Sequence, residues 1–475
     1  MAFKEFKVDN VHLKNNNEYH FFTRDTEGQY SASVDDVWNS NLYSRILKYF
    51  EYEIKIIEER NDENFINVNS YFQRINKSEK NLKFKILKNF FTLNKFLVKK
   101  TDGLIFSSYL PFLSEKILEL YLKQVPQLWQ EKEIIYDNFD KDLRENIVLV
   151  KNNNEKNIEN FIRQMIPSSL PICFVESFKK IYQNAGHKDF PENPKFIFIS
   201  NGFDHDELLK FYIAKNVDKG KKYYVGQHGS SYFTEFDANF RAEINTPDKF
   251  FSWGYNKKEK KNIIPLFNFK TYRKKIKSNS KGKLSIICRS LGYRAVPWDR
   301  YYEGLLGIEK VSKLIDHMPE KIRENTIIKL HKSFQLERSK YFLEKYFGNY
   351  KKNLEFGKIS YKKLISMSRL VCFNYDSTGF LENLNYNIPS IAIWDNTFNH
   401  INENFEKKYE LLLEANIIFN NEKELINHVE NNWENVYEWW NSKKVQTSIN
   451  EFNKNLNKSG QSEDLKKLIE NLKHD

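Results

Sequence analysis

The stretch Leu370-Val-Cys-Phe-Asn-Tyr-Asp-Ser-Thr-Gly-Phe-Leu-Glu382, continued by Asn383-Leu-Asn-Tyr-Asn-Ile-Pro-Ser-Ile-Ala-Ile-Trp394, decides how this chain folds. A short, unbroken apolar run (Leu370 to Asn374) passes through polar residues suited to starting a helix. The helix Gly379 to Asn385 follows, and then a second apolar run, Ser390 to Trp394. Unbroken apolar strands alternating with helices imply a parallel sheet covered on both faces. The same alternation extends backwards through Leu284-Ser-Ile-Ile-Cys288, the helix Tyr302 to His317, the strand Thr326-Ile-Ile-Lys-Leu330 and the helix Ser360 to Met367.

An earlier series repeats it. Lys195-Phe-Ile-Phe-Ile-Ser200 is a strand, Asn201 to Glu207 an acidic turn, and Leu208 to Val217 a helix. Lys222-Tyr-Tyr-Val-Gly226 and Phe250-Phe-Ser-Trp-Gly254 are further strands. The polar stretch Asn256 to Gly282, with an apolar patch at Ile263 to Phe269, reads as the connection between the series. The expected fold is α/β, with two facing Rossmann-like domains, a helical N-terminal portion and C-terminal helices. The divisions fall at residues 1–270, 271–440 and 441–475. Before residue 190 the spacing predicts helices over Val37 to Glu59, Leu82 to Lys99 and Leu113 to Val125, with a short strand from Gly103 to Ser108. No chemistry attaches to that third of the chain.

A chain of 475 residues, 40% hydrophobic and 16% aromatic, has ample material for two cores. The three cysteines lie far apart in apolar runs, without a CxxC pair, so neither a disulfide framework nor a zinc site is expected. The charged start and the absence of any long apolar run point to a cytoplasmic chain with no membrane span. A net charge of +12 suits either a solvated Lys-rich surface or an anionic partner, such as the inner-membrane face at which the chain would be peripheral. Nucleic acid is not expected, because the runs Lys257 to Lys261 and Lys274 to Lys277 read as loops without a base-reading motif.

In open parallel sheets ligands bind beyond the carboxyl ends of the strands. Several such ends carry polar residues. Ser377 and Thr378 put hydroxyls and free backbone N–H groups at a helix N-terminus, which suits a phosphate or serves as a plain helix cap. Glu382, one turn on, suits ribose hydroxyls. His331 and Lys332 leave another strand, and Arg289 a third; all three suit a phosphate, and His331 equally a structural hydrogen bond. In the first series Gln227-His228-Gly229 combines a group that titrates near neutrality with a residue permitting close backbone approach. Asp206 and Glu207 follow the neighbouring strand and suit either proton transfer or the start of a helix. Leaving-group binding in one domain and acid/base groups in the other are what a nucleotide-sugar transferase needs.

The segments Phe196 to Glu207, Tyr224 to Phe233, Phe251 to Tyr255 and Asp376 to Asp395 resemble a family of transferases from bacterial surface-carbohydrate loci. Such loci often also make nonulosonic acids such as pseudaminic and legionaminic acid. The ending Trp433 to Gln446 resembles the same family, and the likeness runs from about residue 165 to 455. The order His331 then Ser377-Thr378 also resembles GT-B sialyltransferases and Kdo transferases, in which a His-Pro and a Ser-Ser or Ser-Thr pair hold the phosphate of a CMP-sugar. Lys332 stands where those enzymes have Pro. A more distant likeness is to CDP-glycerol glycerophosphotransferases. The resemblance implies a GT-B-like transferase moving a nonulosonic or Kdo-like sugar from a CMP-activated donor to a glycan or lipid-linked glycan. Phosphoglycerol transfer and a non-catalytic scaffold are the alternatives. It implies no cofactor and no required metal, although Asp204-His-Asp206 has a metal-binding spacing. His228, Asp206 and Glu207 are the acid/base candidates. Gln227, Gly229, Arg289, His331, Lys332, Ser377, Thr378 and Glu382 are the binding candidates.

Overall fold

A computed structural model describes the chain outside residues 1–9, 16–20, 33–35, 52–54, 61–93, 95, 130–133, 148, 150–154, 186–189, 204, 231, 236–240, 257–258, 290–303, 332–339, 395–399 and 474–475. A small parallel pair comes first, β1 (Asn10–Asn15) with β2 (Lys55–Arg60). The first large sheet holds β3 (Leu104–Phe106), β4 (Phe196–Ile199), β5 (Lys222–Gly226), β6 (Lys249–Ser252) and β7 (Ile263–Pro265), side by side in that order. The second holds β8 (Lys283–Ile287), β9 (Thr326–Lys329), β10 (Leu354–Glu355), β11 (Ser368–Phe373), β12 (Ser390–Ile393) and β13 (Ile418–Phe419), in the order β10-β9-β8-β11-β12-β13. All their pairings are parallel.

Each large sheet is buried on both faces, as its unbroken apolar strands require. Along β11, Leu370 and Cys372 enter one core while Val371 and Phe373 enter the other. Along β4, Phe196 and Phe198 enter one and Ile197 and Ile199 the opposite. Strand residues two apart share a face, so these pairs show helices packed above and below. The result is the α/β, GT-B-like arrangement of two Rossmann-like domains that the strand pattern implies.

The chain ties the two domains together in both directions. Trp253, just past β6 of the first sheet, is buried in the core of the second domain. The chain end returns the other way: the helix Lys443–Leu456 packs in the second core, whereas the helix Ser462–Lys473 packs Leu465, Leu468, Ile469 and Leu472 into the first. The crossing is pinned at fully buried Asn457, which donates to Leu381 O at 2.7 Å and accepts from Asn268 Nδ2 at 2.8 Å.

Two stretches fold differently from their periodicity. The helix expected over Val37 to Glu59 runs from Asp36 to Phe50, where Glu51 takes a left-handed φ of 50° and breaks it; Lys55–Arg60 is then a strand. The apolar patch read as linker contributes β7, an edge strand of three residues. Most of the helix expected over Leu82 to Lys99 lies outside the described residues. The three cysteines are free and buried.

The helix Phe112–Tyr121 carries a fully buried Glu119, which accepts from Lys116 Nζ at 3.1 Å and from Gln127 N at 2.9 Å. Burial pushes this carboxyl up to about 7, against the pull of Lys116. The folded state therefore holds a proton that the unfolded chain releases near its ordinary value. This contribution to stability is complete below about pH 4.5 and is lost as pH rises through about 7. Glu119→Gln removes the dependence. Urea unfolding at pH 5 and pH 8 should shift the variant relative to the parent by up to about 3 kcal/mol in the variant's favour. A constant difference would contradict the assignment.

Candidate active site between the two sheets

The carboxyl ends of both sheets meet at the domain junction. In the second sheet Ile287 is level with Lys329 on one side and Phe373 on the other. Two residues on, Arg289, His331 and Tyr375 therefore leave three adjacent strands at one level. Strand order reverses between β8 and β11, and a crevice at such a reversal is where open α/β sheets bind ligands. Arg289 stands on one side of it. The helix Thr378–Tyr386 opens on the other.

Local chemistry shapes this edge. Asn374 accepts from Arg289 N at 3.0 Å, tying the two strand ends together. Ser377 is buried and caps its helix, accepting from Phe380 N at 3.1 Å, so its hydroxyl serves the helix itself. Burial pushes the Tyr375 phenol up, and the nearby Arg289 guanidinium draws it part of the way back. His331 is exposed at the end of β9, and Lys332 lies outside the described residues.

The first sheet brings up His228. Its Nδ1 lies 2.6 Å from the hydroxyl of buried Tyr232. If the phenol donates, the far nitrogen carries the proton and is a donor. If Nδ1–H donates, the far nitrogen is an acceptor able to take a proton. The imidazole stacks on Tyr109, with ring centroids 5.9 Å apart and planes 20° from parallel. Gln227 braces the loop from inside, accepting from Trp253 N and donating to Gly229 O, both at 2.9 Å.

The two edges touch. Ser230 N donates to Thr378 Oγ1 at 3.0 Å, and a Cβ on Gly229 would stand 3.0 Å from the same oxygen, so a larger residue there would push the loop away. Lys270, between β7 and β8, pairs with Glu382 of the helix Thr378–Tyr386 at 2.8 Å and holds its ammonium 5.2 Å from the centre of the Tyr109 ring. His228, Tyr109, Lys270 and Glu382 thus form one continuous run across the junction.

Asp206 and Glu207 are engaged elsewhere. Asp206 caps the helix Glu207–Val217 through Leu209 N at 2.9 Å. Glu207 is 1% exposed and accepts from Lys210 Nζ at 2.8 Å and from Thr26 N at 3.1 Å. In the Asp204-His-Asp206 sequence, Asp206 is thus a helix cap and Asp204 lies outside the described residues.

Sequence reasoning passed over Tyr109, Tyr232, Lys270 and the group behind Asp376. Tyr109 and Ser107, just past β3, have left-handed φ values of 64° and 47°, a strained backbone of the kind that collects at functional sites. Asp376, inside the quoted motif, accepts from Tyr409 OH at 2.8 Å and lies 3.4 Å from His400 Nε2. This buried trio backs the helix N-terminus.

Three solved structures illustrate what the chain is similar to. WaaG, a glycosyltransferase involved in lipopolysaccharide biosynthesis, aligns at 11% identity over 63% of this chain and 96% of that one, with a TM-score of 0.33. Anabaena Alr3699/HepE, in complex with UDP, aligns at 9% identity over 66% and 88%, with a TM-score of 0.36. A UDP-forming trehalose-phosphate synthase from Burkholderia xenovorans aligns at 9% identity over 62% and 78%, with a TM-score of 0.36. At such values the fold is read from this chain's own sheets. No curated protein matches the chain. The family comparison covers nearly all of it: residues 1–472 match the model of the LIC12162 family transferases, and the chain belongs to that family.

Proposed function

We propose that this transferase is a glycosyltransferase that moves an acidic, nonulosonic or Kdo-like sugar from a CMP-activated donor to a glycan or lipid-linked glycan. The observation that supports this reading best is the level alignment of Arg289, His331 and the opening of the Thr378–Tyr386 helix, set against the His228 loop. A nucleotide phosphate fits between Arg289 and that helix N-terminus, where a guanidinium and backbone N–H groups stabilise a departing anion. Glu382 would exchange its bond with Lys270 for the ribose hydroxyls. His228 is the acid/base group, held by Tyr232 and Tyr109. Asp206 and Glu207 keep structural roles in this reading, because their partners already occupy them. Residues 1–270 form the acceptor side, 271–440 the donor side and 441–475 the tail. No metal or cofactor is assigned.

No described helix is long and apolar enough to cross a membrane, so a lipid-linked acceptor would be met by peripheral contact. Product analysis tests the proposal. Incubation with a CMP-activated acidic sugar and a glycan extract should release CMP and add the mass of that sugar to the acceptor. Addition of phosphoglycerol from CDP-glycerol would replace it with phosphotransfer. Release of no nucleotide from any donor would leave a non-catalytic scaffold.

A further inference from the structure

The helix Phe112–Tyr121 is amphipathic in an inverted sense. Its inner face joins the first core through Leu118, against Leu465, Leu468 and Ile469 of the C-terminal helix. At 100° per residue, its outer arc holds Phe112, Leu113, Lys116, Ile117, Leu120 and Tyr121. Phe112 is 64% exposed, Leu113 73%, Leu120 59% and Tyr121 61%. The one charged member, Lys116, folds inward to Glu115, Glu119 and Gln127 O, so the arc presents apolar surface to solvent.

Basic residues gather at one end of it. Gln124, three residues past the helix, exchanges two hydrogen bonds with the backbone of Gly103, at 2.8 and 2.9 Å. That contact brings exposed Lys123 together with the segment carrying exposed Phe96, Leu97, Lys99 and Lys100. Lys100 bonds Glu192 at 2.9 Å in an exposed pair, which solvent leaves weak. The opposite end of the helix starts beside Tyr109, at the carboxyl edge of the first sheet where His228 lies.

We infer that the outer arc of helix Phe112–Tyr121, with Phe96, Leu97 and the lysines 99, 100 and 123, docks on an anionic bilayer surface. An apolar arc inserting among acyl chains and a basic cluster meeting anionic headgroups are the two signals that together hold a peripheral protein on a membrane. The net charge of +12 adds long-range attraction. Ten helical residues are too short to span a bilayer and the right shape to lie along it. Docking this way places the junction beside the membrane plane, which rests on the reading of a lipid-linked acceptor.

The test is co-sedimentation of the full chain with vesicles of phosphatidylglycerol and phosphatidylethanolamine, and with vesicles of phosphatidylcholine alone. The parent should bind the anionic vesicles, with affinity falling as salt rises, and bind the neutral ones at least about tenfold less. Leu113→Glu with Leu120→Glu, both at exposed positions, should lower anionic-vesicle binding by at least about tenfold while leaving the thermal shift caused by CMP unchanged. Equal vesicle binding by the double variant would overturn the surface. A parent that ignores vesicles yet is stabilised by CMP would overturn the docking and leave the transferase reading intact. A parent dimer in sedimentation velocity that the double variant converts to monomer would give the arc to a second copy instead.

Discussion

His228→Ala is expected to lower donor turnover by about 10²- to 10⁴-fold while changing donor affinity by less than about threefold, the range over which positioned acid/base groups act. The imidazole earns this role by its place. It leaves β5 at the carboxyl edge of the first sheet, is held at Nδ1 by the Tyr232 hydroxyl, and rests flat against Tyr109. Both partners fix the ring's orientation. In the proposed role it would transfer a proton in the transition state and add little to ground-state binding, so the loss should fall on kcat. Normal turnover in the variant, measured with a donor the parent consumes, would remove His228 from the chemistry.

Arg289→Ala carries the other large effect. A charge-assisted bond from guanidinium to phosphate is worth about 1.5–3 kcal/mol, so CMP affinity should fall by roughly 10- to 150-fold. Arg289 is a cleaner probe than Ser377. The Ser377 hydroxyl caps Phe380 N, so its removal destabilises the helix whether or not phosphate binds. Arg289 lies partly exposed beyond β8, and its backbone bond to Asn374 survives the substitution. Calorimetric titration of parent and variant reads the difference. Equal affinities would place the phosphate elsewhere.

The fold was legible because its strands are short, apolar throughout and evenly interleaved with helices. Leu370 to Phe373 and Phe196 to Ile199 could be placed from composition alone, and the polar residues after them followed from the rule that ligands gather at carboxyl ends. Periodicity served less well where two patterns overlap. Residues 55–60 continue a helix-like spacing, and it took the left-handed turn at Glu51 to make them a strand. The segment Ile263–Pro265 is so short that its identity depends on β6 beside it.

The site was legible in part, for a related reason. His228 and Arg289 sit just past strand ends visible in the sequence, and Glu382 one turn into the helix that follows another. Tyr109 does not announce itself: its place depends on its own positive φ and on His228, 119 positions later. Lys270 is one lysine in a lysine-rich stretch until Glu382 is brought to it. The acids of the first series show the reverse. Asp206 and Glu207 have the residue types for proton transfer, yet one caps a helix and the other is buried beside Lys210. Residue type suggests a role, and burial and partners decide it.

In the proposed reading a nucleotide phosphate lies between Arg289 and the opening of the Thr378–Tyr386 helix, facing His228. The most direct measurement is a crystal structure of the chain with CMP. The phosphate should lie within hydrogen-bonding distance of the Arg289 guanidinium and of backbone N–H groups at Thr378 to Phe380, with the ribose against Glu382. CMP bound away from these residues, or absent at saturating concentration while another nucleotide occupies the crevice, would contradict it.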